Sequence, residues 1–151
     1  MRLLYMIWAV IAGVIIAVQA TTNTALRVQL NSPLAATLMN FIVGFCSIMV
    51  IILVVKPHTF VEMKPILSGE VPLWKIMGGM IGACFVLSIT ILTPHLGVSK
   101  VIILYLVGQI IMSLIIDHFG LLGMVVDKID LQKLIGVVFL VVGVILTQKS
   151  S

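Results

Sequence analysis

Val98–Gly120, VSKVIILYLVGQIIMSLIIDHFG, is apolar enough to cross a bilayer, yet Tyr105, Gln109, Ser113 and Asp117 recur in it at four-residue steps. Residues four apart on a helix share nearly one face, so the stretch predicts a helix with one polar stripe on an apolar cylinder. A polar group in hydrocarbon with neither water nor a partner is costly, about 2.5 to 3.5 kcal/mol for a central Asp on insertion scales. The stripe must therefore face protein or a wet cavity. Two uses fit it: Gln109 and Ser113 can hydrogen-bond a neighbouring helix, as polar groups in membrane bundles commonly do, or they can line a passage.

The rest of the chain has the same character. Of 151 residues, 62% are hydrophobic and 9% charged, and the mean hydropathy is +1.32, whereas soluble domains carry about 25% charged residues. At about 20 residues per span, this length supplies four or five helices and leaves no room for a separate soluble domain. The net charge is +4, but most Lys and Arg flank apolar runs, where they orient a chain in its membrane; nothing supports a nucleic-acid role. Cys46 and Cys84 fall inside apolar runs without metal-ligand spacing and read as small buried apolar residues. Arg2, the apolar run to Val18 and then Val18-Gln19-Ala20 imitate a secretory signal with its cleavage site; the expectation is instead a first transmembrane helix.

Residues 1–151 thus read as one transmembrane domain, an all-α bundle of about five spans at roughly 3–23, 33–55, 73–93, 98–118 and 131–147. Tyr5 and Trp8 suit a membrane interface, and near the far end of the first span Gln19 and Asn23 stand one turn apart. From Thr21 to Pro33 the composition turns polar, so the chain is expected to leave the membrane there. Pro33 opens the second span with Ser32 as its cap, and Asn40, Gly44 and Ser47 fall at helical spacing within it. Lys56 to Pro72, with three prolines, reads as a loop. In the third span Gly78 with Gly82 and Gly79 with Ala83 form two small-xxx-small pairs, which allow a second backbone to approach closely. Pro94-His95-Leu96-Gly97 is expected to make a tight hairpin. The fourth span ends at Asp117-His118-Phe119-Gly120, and the fifth follows Asp130 as cap, with Gly136 and Gly143 on one packing strip.

Five spans place Arg2, Lys56, Lys64, Lys75, Lys128 and Lys133 on one side and Arg27, Lys100 and Lys149 on the other. Six against three favours a cytoplasmic amino terminus. With an odd number of spans, a second copy fused behind the first would lie upside down, the arrangement of inverted-repeat transporters. A chain this short cannot enclose a pathway unaided. No Walker loop, Gly-x-Ser-x-Gly, His-Glu-x-x-His or Cys/His cluster occurs, so no enzyme, cofactor or metal is expected.

Several of these residues also form a known pattern. Gly13 with Gln19 and Asn23, Ser32-Pro33-x-x-Ala36, Phe41-x-x-Gly44, Gly78-Gly79 with Gly82-Ala83, Pro94-x-x-Gly97, Gly108-Gln109, Asp117-His118-Phe119-Gly120 and Gly136 occur in order along the whole chain. Together they resemble the YdcZ-type single-repeat family of the drug/metabolite transporter superfamily. The resemblance implies a bacterial inner-membrane, multi-pass transporter that forms one half of an inverted-repeat unit. Its partner would be an antiparallel second copy or an inverted paralogue. Relatives in the small multidrug resistance branch use a buried Glu in the first helix for proton-coupled cation export. Gln19 and Asn23 stand in this helix instead, which favours a neutral, zwitterionic or anionic solute, or uncoupled movement.

The leading expectation is a small-solute carrier working by alternating access, with Gln19, Asn23, Asn40, Tyr105, Gln109 and Ser113 lining the pathway. Asp117 and His118 are expected to be structural or gating groups at the membrane face, and Gly44, Gly78, Gly79, Gly82, Ala83, Gly136 and Gly143 to pack helices. Two alternatives are a non-transporting subunit that stabilises a larger complex and an accessory acting on lipid headgroups through Asp117 and His118.

Overall fold

The computed structural model describes residues 1–149, with side chains to Thr147. Its elements are α1 (Arg2–Leu30), α2 (Pro33–Val55), two single-turn helices α3 (Thr59–Glu62) and α4 (Lys64–Leu67), a 3-10 turn at Leu73–Ile76, α5 (Gly78–Leu96), α6 (Val98–Phe119), a 3-10 turn at Leu121–Gly123, and α7 (Leu131–Lys149). The described residues contain no strand. This is the all-helical outcome that hydrocarbon dictates, because only a helix or a closed barrel satisfies its own backbone there.

Four helical stretches are long and apolar enough to cross a membrane: Arg2–Leu30, Pro33–Val55, Leu73–Leu96 and Val98–Phe119. The apolar part of α7, Leu131–Thr147, is shorter; its 17 residues rise about 26 Å at 1.5 Å each, against about 30 Å of hydrocarbon. Among the described residues only Ala20, Ala36, Ile89 and Val101 are buried apolar side chains. Most of the large aliphatic residues are exposed. Lipid is as apolar as leucine, so these residues gain little by hiding from it.

The chain forms two compact units, Met1–His95 and the part that begins at Leu96. In the first, α1 packs on α2. The turn between them is made by Asn31 in the left-handed region (φ 50°, ψ 30°) and by extended Ser32, whose Oγ accepts a hydrogen bond from the Ala35 N–H at 3.2 Å. Pro33 follows at the first helical position, where its missing N–H costs nothing.

Four expectations about this unit change. First, α1 does not stop near Asn23 but continues to Leu30. Its polar stretch stays helical because the hydroxyls turn back on the helix: Thr21 donates to the Ala17 carbonyl, Thr22 to Gln19 and Thr24 to Ala20, at 3.0, 3.0 and 2.8 Å. Second, Pro94 lies inside α5 rather than in a hairpin, and the break falls at Gly97, φ 82°. The Lys56–Pro72 connection also carries more order than a plain loop, with α3 and α4 in it and Lys56 paired to Glu62 at 2.6 Å. Cys46 and Cys84 are free and exposed, not buried: their spans face outward instead of into a core.

In the second unit α6 packs on α7 through a knitted turn. The Asp127 N–H donates to the Asp117 carbonyl at 2.8 Å, and the Ile129 N–H donates to His118 Nδ1 at 3.1 Å. Asp130 Oδ1 accepts from the Lys133 N–H at 2.8 Å, capping α7 as its position suggested. Lys133 Nζ closes the turn on Asp127 Oδ1 at 2.6 Å and on the Lys128 carbonyl at 3.0 Å.

Candidate functional site

The first unit carries an open groove of about 610 Å³ between α1, α2 and α5. Gln19 of α1 and half-buried Asn40 of α2 are its amides, and Phe41, Phe45, Ile48, Phe85 and Val86 supply most of its apolar wall. Gly44 and Gly82 line it as well. A Cβ built on either would meet no atom within 4 Å, so these positions widen the groove rather than seat a neighbouring helix. The same holds at Gly78, Gly79, Gly136 and Gly143: the close approach expected of them is not made within the chain. Ala83 and Thr37 line a second, more apolar groove of about 350 Å³, and Phe41 borders both.

An amide is suited to such a place. It offers two donors and an acceptor without a charge, so it can bind a polar solute without the insertion cost of a charge. Asn23 lies one turn beyond Gln19 and does not line the groove; it is buried, 6% exposed. One turn further, Arg27 Nη1 donates to the main-chain carbonyls of Thr90 at 3.3 Å and Ile91 at 3.4 Å. Pro94 accounts for the first of these bonds. It has no N–H to give to the carbonyl four residues back, and that carbonyl is Thr90's. Thr90 is fully buried, its own hydroxyl bonded to the Val86 carbonyl at 2.9 Å, while Thr93 Oγ1, 5% exposed as a residue, has no partner.

On α6 the stripe of Tyr105, Gln109, Ser113 and Asp117 shares one helix, with Gln109 and Ser113 exposed. Ser113 Oγ is bonded to the Ile110 carbonyl of its own helix at 2.9 Å. Asp117 and His118 are half-buried; the Asp117 main chain and the His118 imidazole fasten the turn before α7. The His118 ring meets Phe119 edge-on at 4.8 Å between centroids. His118 accepts a main-chain N–H at Nδ1, so in this state that nitrogen carries no proton.

Residues 4–146 match the family described as "Putative inner membrane exporter, YdcZ". The chain belongs to the YdcZ family. No significant match is found among curated proteins or among solved structures. Membership makes this YdcZ-family chain a multi-pass transporter of the inner membrane, and the family is not one of enzymes.

Of the six pathway residues expected from sequence, the YdcZ-family fold brings Gln19 and Asn40 to one groove, sets Asn23 beside it in the buried face of α1, and carries Tyr105, Gln109 and Ser113 on a helix of the other unit. Sequence reading passed over Arg27, Thr37, Thr90 and Thr93. Gln19, Asn23 and Arg27 recur at the same four-residue step as the stripe on α6, and that was the available signal.

Proposed function

We propose that this YdcZ-family protein moves a small polar solute across the inner membrane by alternating access. It would do so as an antiparallel pair or beside an inverted paralogue, with Gln19, Asn23, Asn40, Tyr105, Gln109 and Ser113 along the solute's path. The observation that carries the reading is the open groove of about 610 Å³ with Gln19 and Asn40 in its wall. Such a wall is open on one side and needs a second surface to become a compartment, and carriers built from inverted repeats supply it at their midplane. Family membership supports the same reading. The substrate-contact role extends to Gln109 because its exposed amide lies on one face with Tyr105 and Ser113, about ten residues into α6.

The test is efflux from vesicles that hold the purified protein and a loaded mixture of metabolites. The wild type should release at least one solute faster than empty vesicles. Folded Gln19→Leu, Asn40→Leu and Gln109→Leu should each lower the affinity for that solute by about tenfold, the equivalent of 1.4 kcal/mol. A bond that only bridges helices is worth about 0.6 kcal/mol, so unchanged flux in all three variants would move the function to that of a structural subunit.

A further inference from the structure

We propose that Arg27 and Thr93 form a binding site for an oxyanion, a carboxylate or a phosphate group, at the end of the polar stripe that begins at Gln19. As a statement of substrate class it rests on the transporter reading above; as a binding site it does not.

The first observation is a guanidinium with half its valence engaged. Arg27 is half-buried near the end of α1, and none of the two ion pairs among the described residues includes it. Its Nη1 is held by the carbonyls of Thr90 and Ile91. These lie close to the carboxyl end of α5, where the helix dipole favours a cation. The hold fixes the side chain without neutralising it. Arginine has five N–H donors in a planar fork, and engagement through Nη1 leaves the edge formed by Nε and Nη2. That edge presents two parallel donors at the spacing of two oxygens on one carbon or phosphorus.

The second observation is independent of the first. Thr93 lies one turn after Thr90 on the same buried face of α5, is 5% exposed, and has a hydroxyl without a hydrogen-bond partner. Leaving a buried hydroxyl unpaired is unfavourable. Thr24 and Thr90 both avoid that cost by bonding back to their own helices. Thr93 does not, so its O–H is left without an acceptor. A cationic fork and a neutral hydroxyl donor together select a ligand that only accepts, with concentrated negative charge. A cation is repelled, and a neutral amide leaves the charge uncompensated.

The site shares one face of α1 with the groove's amide. Gln19 borders the open groove, Asn23 follows one turn on and Arg27 one turn further. A solute with an anionic end and a polar or aromatic body would place its charge at Arg27 and its body toward the groove. The full-length protein, purified in a neutral maltoside detergent, should therefore bind benzoate or inorganic phosphate by calorimetry. Benzoate should bind about tenfold more tightly than benzamide, and benzylamine should not compete. Arg27→Gln should abolish the preference, and Arg27→Lys, which keeps the charge but loses the fork, should reduce it. Thr93→Val removes only a hydroxyl without a partner, so it should melt no lower than the wild type and still bind benzoate several-fold more weakly, with benzamide unaffected. That variant keeps the test decisive if Arg27→Gln fails to fold.

Absence of both benzoate and phosphate binding, equal affinity for benzoate and benzamide, or undiminished benzoate binding by folded Arg27 variants would overturn the site. Added phosphatidylglycerol separates two sources of oxyanion. Competition with benzoate identifies a lipid phosphate as the resident ligand, and independence identifies a solute group; either result supports the site. Flux is read separately. Arg27-dependent binding without benzoate efflux from wild-type vesicles leaves the binding site standing and removes benzoate as cargo.

Discussion

Pro94 takes one N–H from α5, and the effect falls on a residue four positions earlier in the chain. The Thr90 carbonyl is left without its helical donor, and the Arg27 guanidinium fills the position from α1. A hydrogen bond from a charged group contributes about 1.5 to 3 kcal/mol, which offsets much of the roughly 3 kcal/mol that an interior proline costs a helix. The two residues should therefore be coupled. Pro94→Ala returns the N–H to α5, and in that background Arg27→Gln should cost at least about 1 kcal/mol less than it does in the wild type. Thermal unfolding of the four proteins of the cycle measures this directly, and strictly additive losses would show that the proline is not what Arg27 answers. None of this could be read from the sequence. In the sequence Arg27 reads as a topological charge because the polar composition from Thr21 to Pro33 predicts that the chain leaves the membrane there, and threonine hydroxyls that bond back to their own helix leave no mark in a hydropathy pattern.

Among elements, the apolar runs were legible because lipid imposes one requirement on all of them: about 20 residues with every backbone group paired internally. Ser32, Pro33 and Asp130 were legible for the same kind of reason, since the start of a helix has orphan N–H groups that only a few side chains satisfy. The ends at Leu30 and Leu96 were not legible. Their positions depend on Asn31 and Gly97 adopting positive φ, not on hydrophobicity. Gly120 shows how strict such a position can be. At φ 61° a Cβ would lie 2.7 Å from Val126 Cγ2 and 3.3 Å from the Met124 carbonyl oxygen. Gly120→Ala therefore combines left-handed strain of about 1 to 2 kcal/mol with a collision in the turn that His118, Asp127 and Lys133 fasten. Its melting temperature should fall, and the amides of Asp127 and Ile129 should exchange faster than in the wild type. Val126→Ala added to it should recover the steric part and leave the strain. An unchanged exchange rate at Ile129 would mean that the turn is held without Gly120.

For the whole molecule, what counts is how much surface the chain leaves for something other than itself. Gly78, Gly79, Gly136 and Gly143 approach no other atom closely, and the Gln19 and Asn40 groove is open. Bare glycines in a membrane helix are places where another backbone can come close, and a second copy in opposite orientation would meet them with like surfaces. Orientation is set by Lys and Arg near the spans, and here the division is six against three. A margin this narrow predicts that both orientations are populated. The experiment replaces the exposed thiols Cys46 and Cys84 with serine and introduces Ser68→Cys into the exposed connection between α2 and α5. Spheroplasts are then treated with a maleimide that cannot cross the membrane. Two orientations of one chain should leave about half of the Ser68→Cys thiols labelled, and Lys64→Gln with Lys75→Gln, which cuts the division from six against three to four against three, should shift that fraction. One orientation together with a copurifying paralogue of opposite charge bias gives the same pair by another route. One orientation with no such partner would end the inverted-pair reading, and the open groove would then need a different surface to close it.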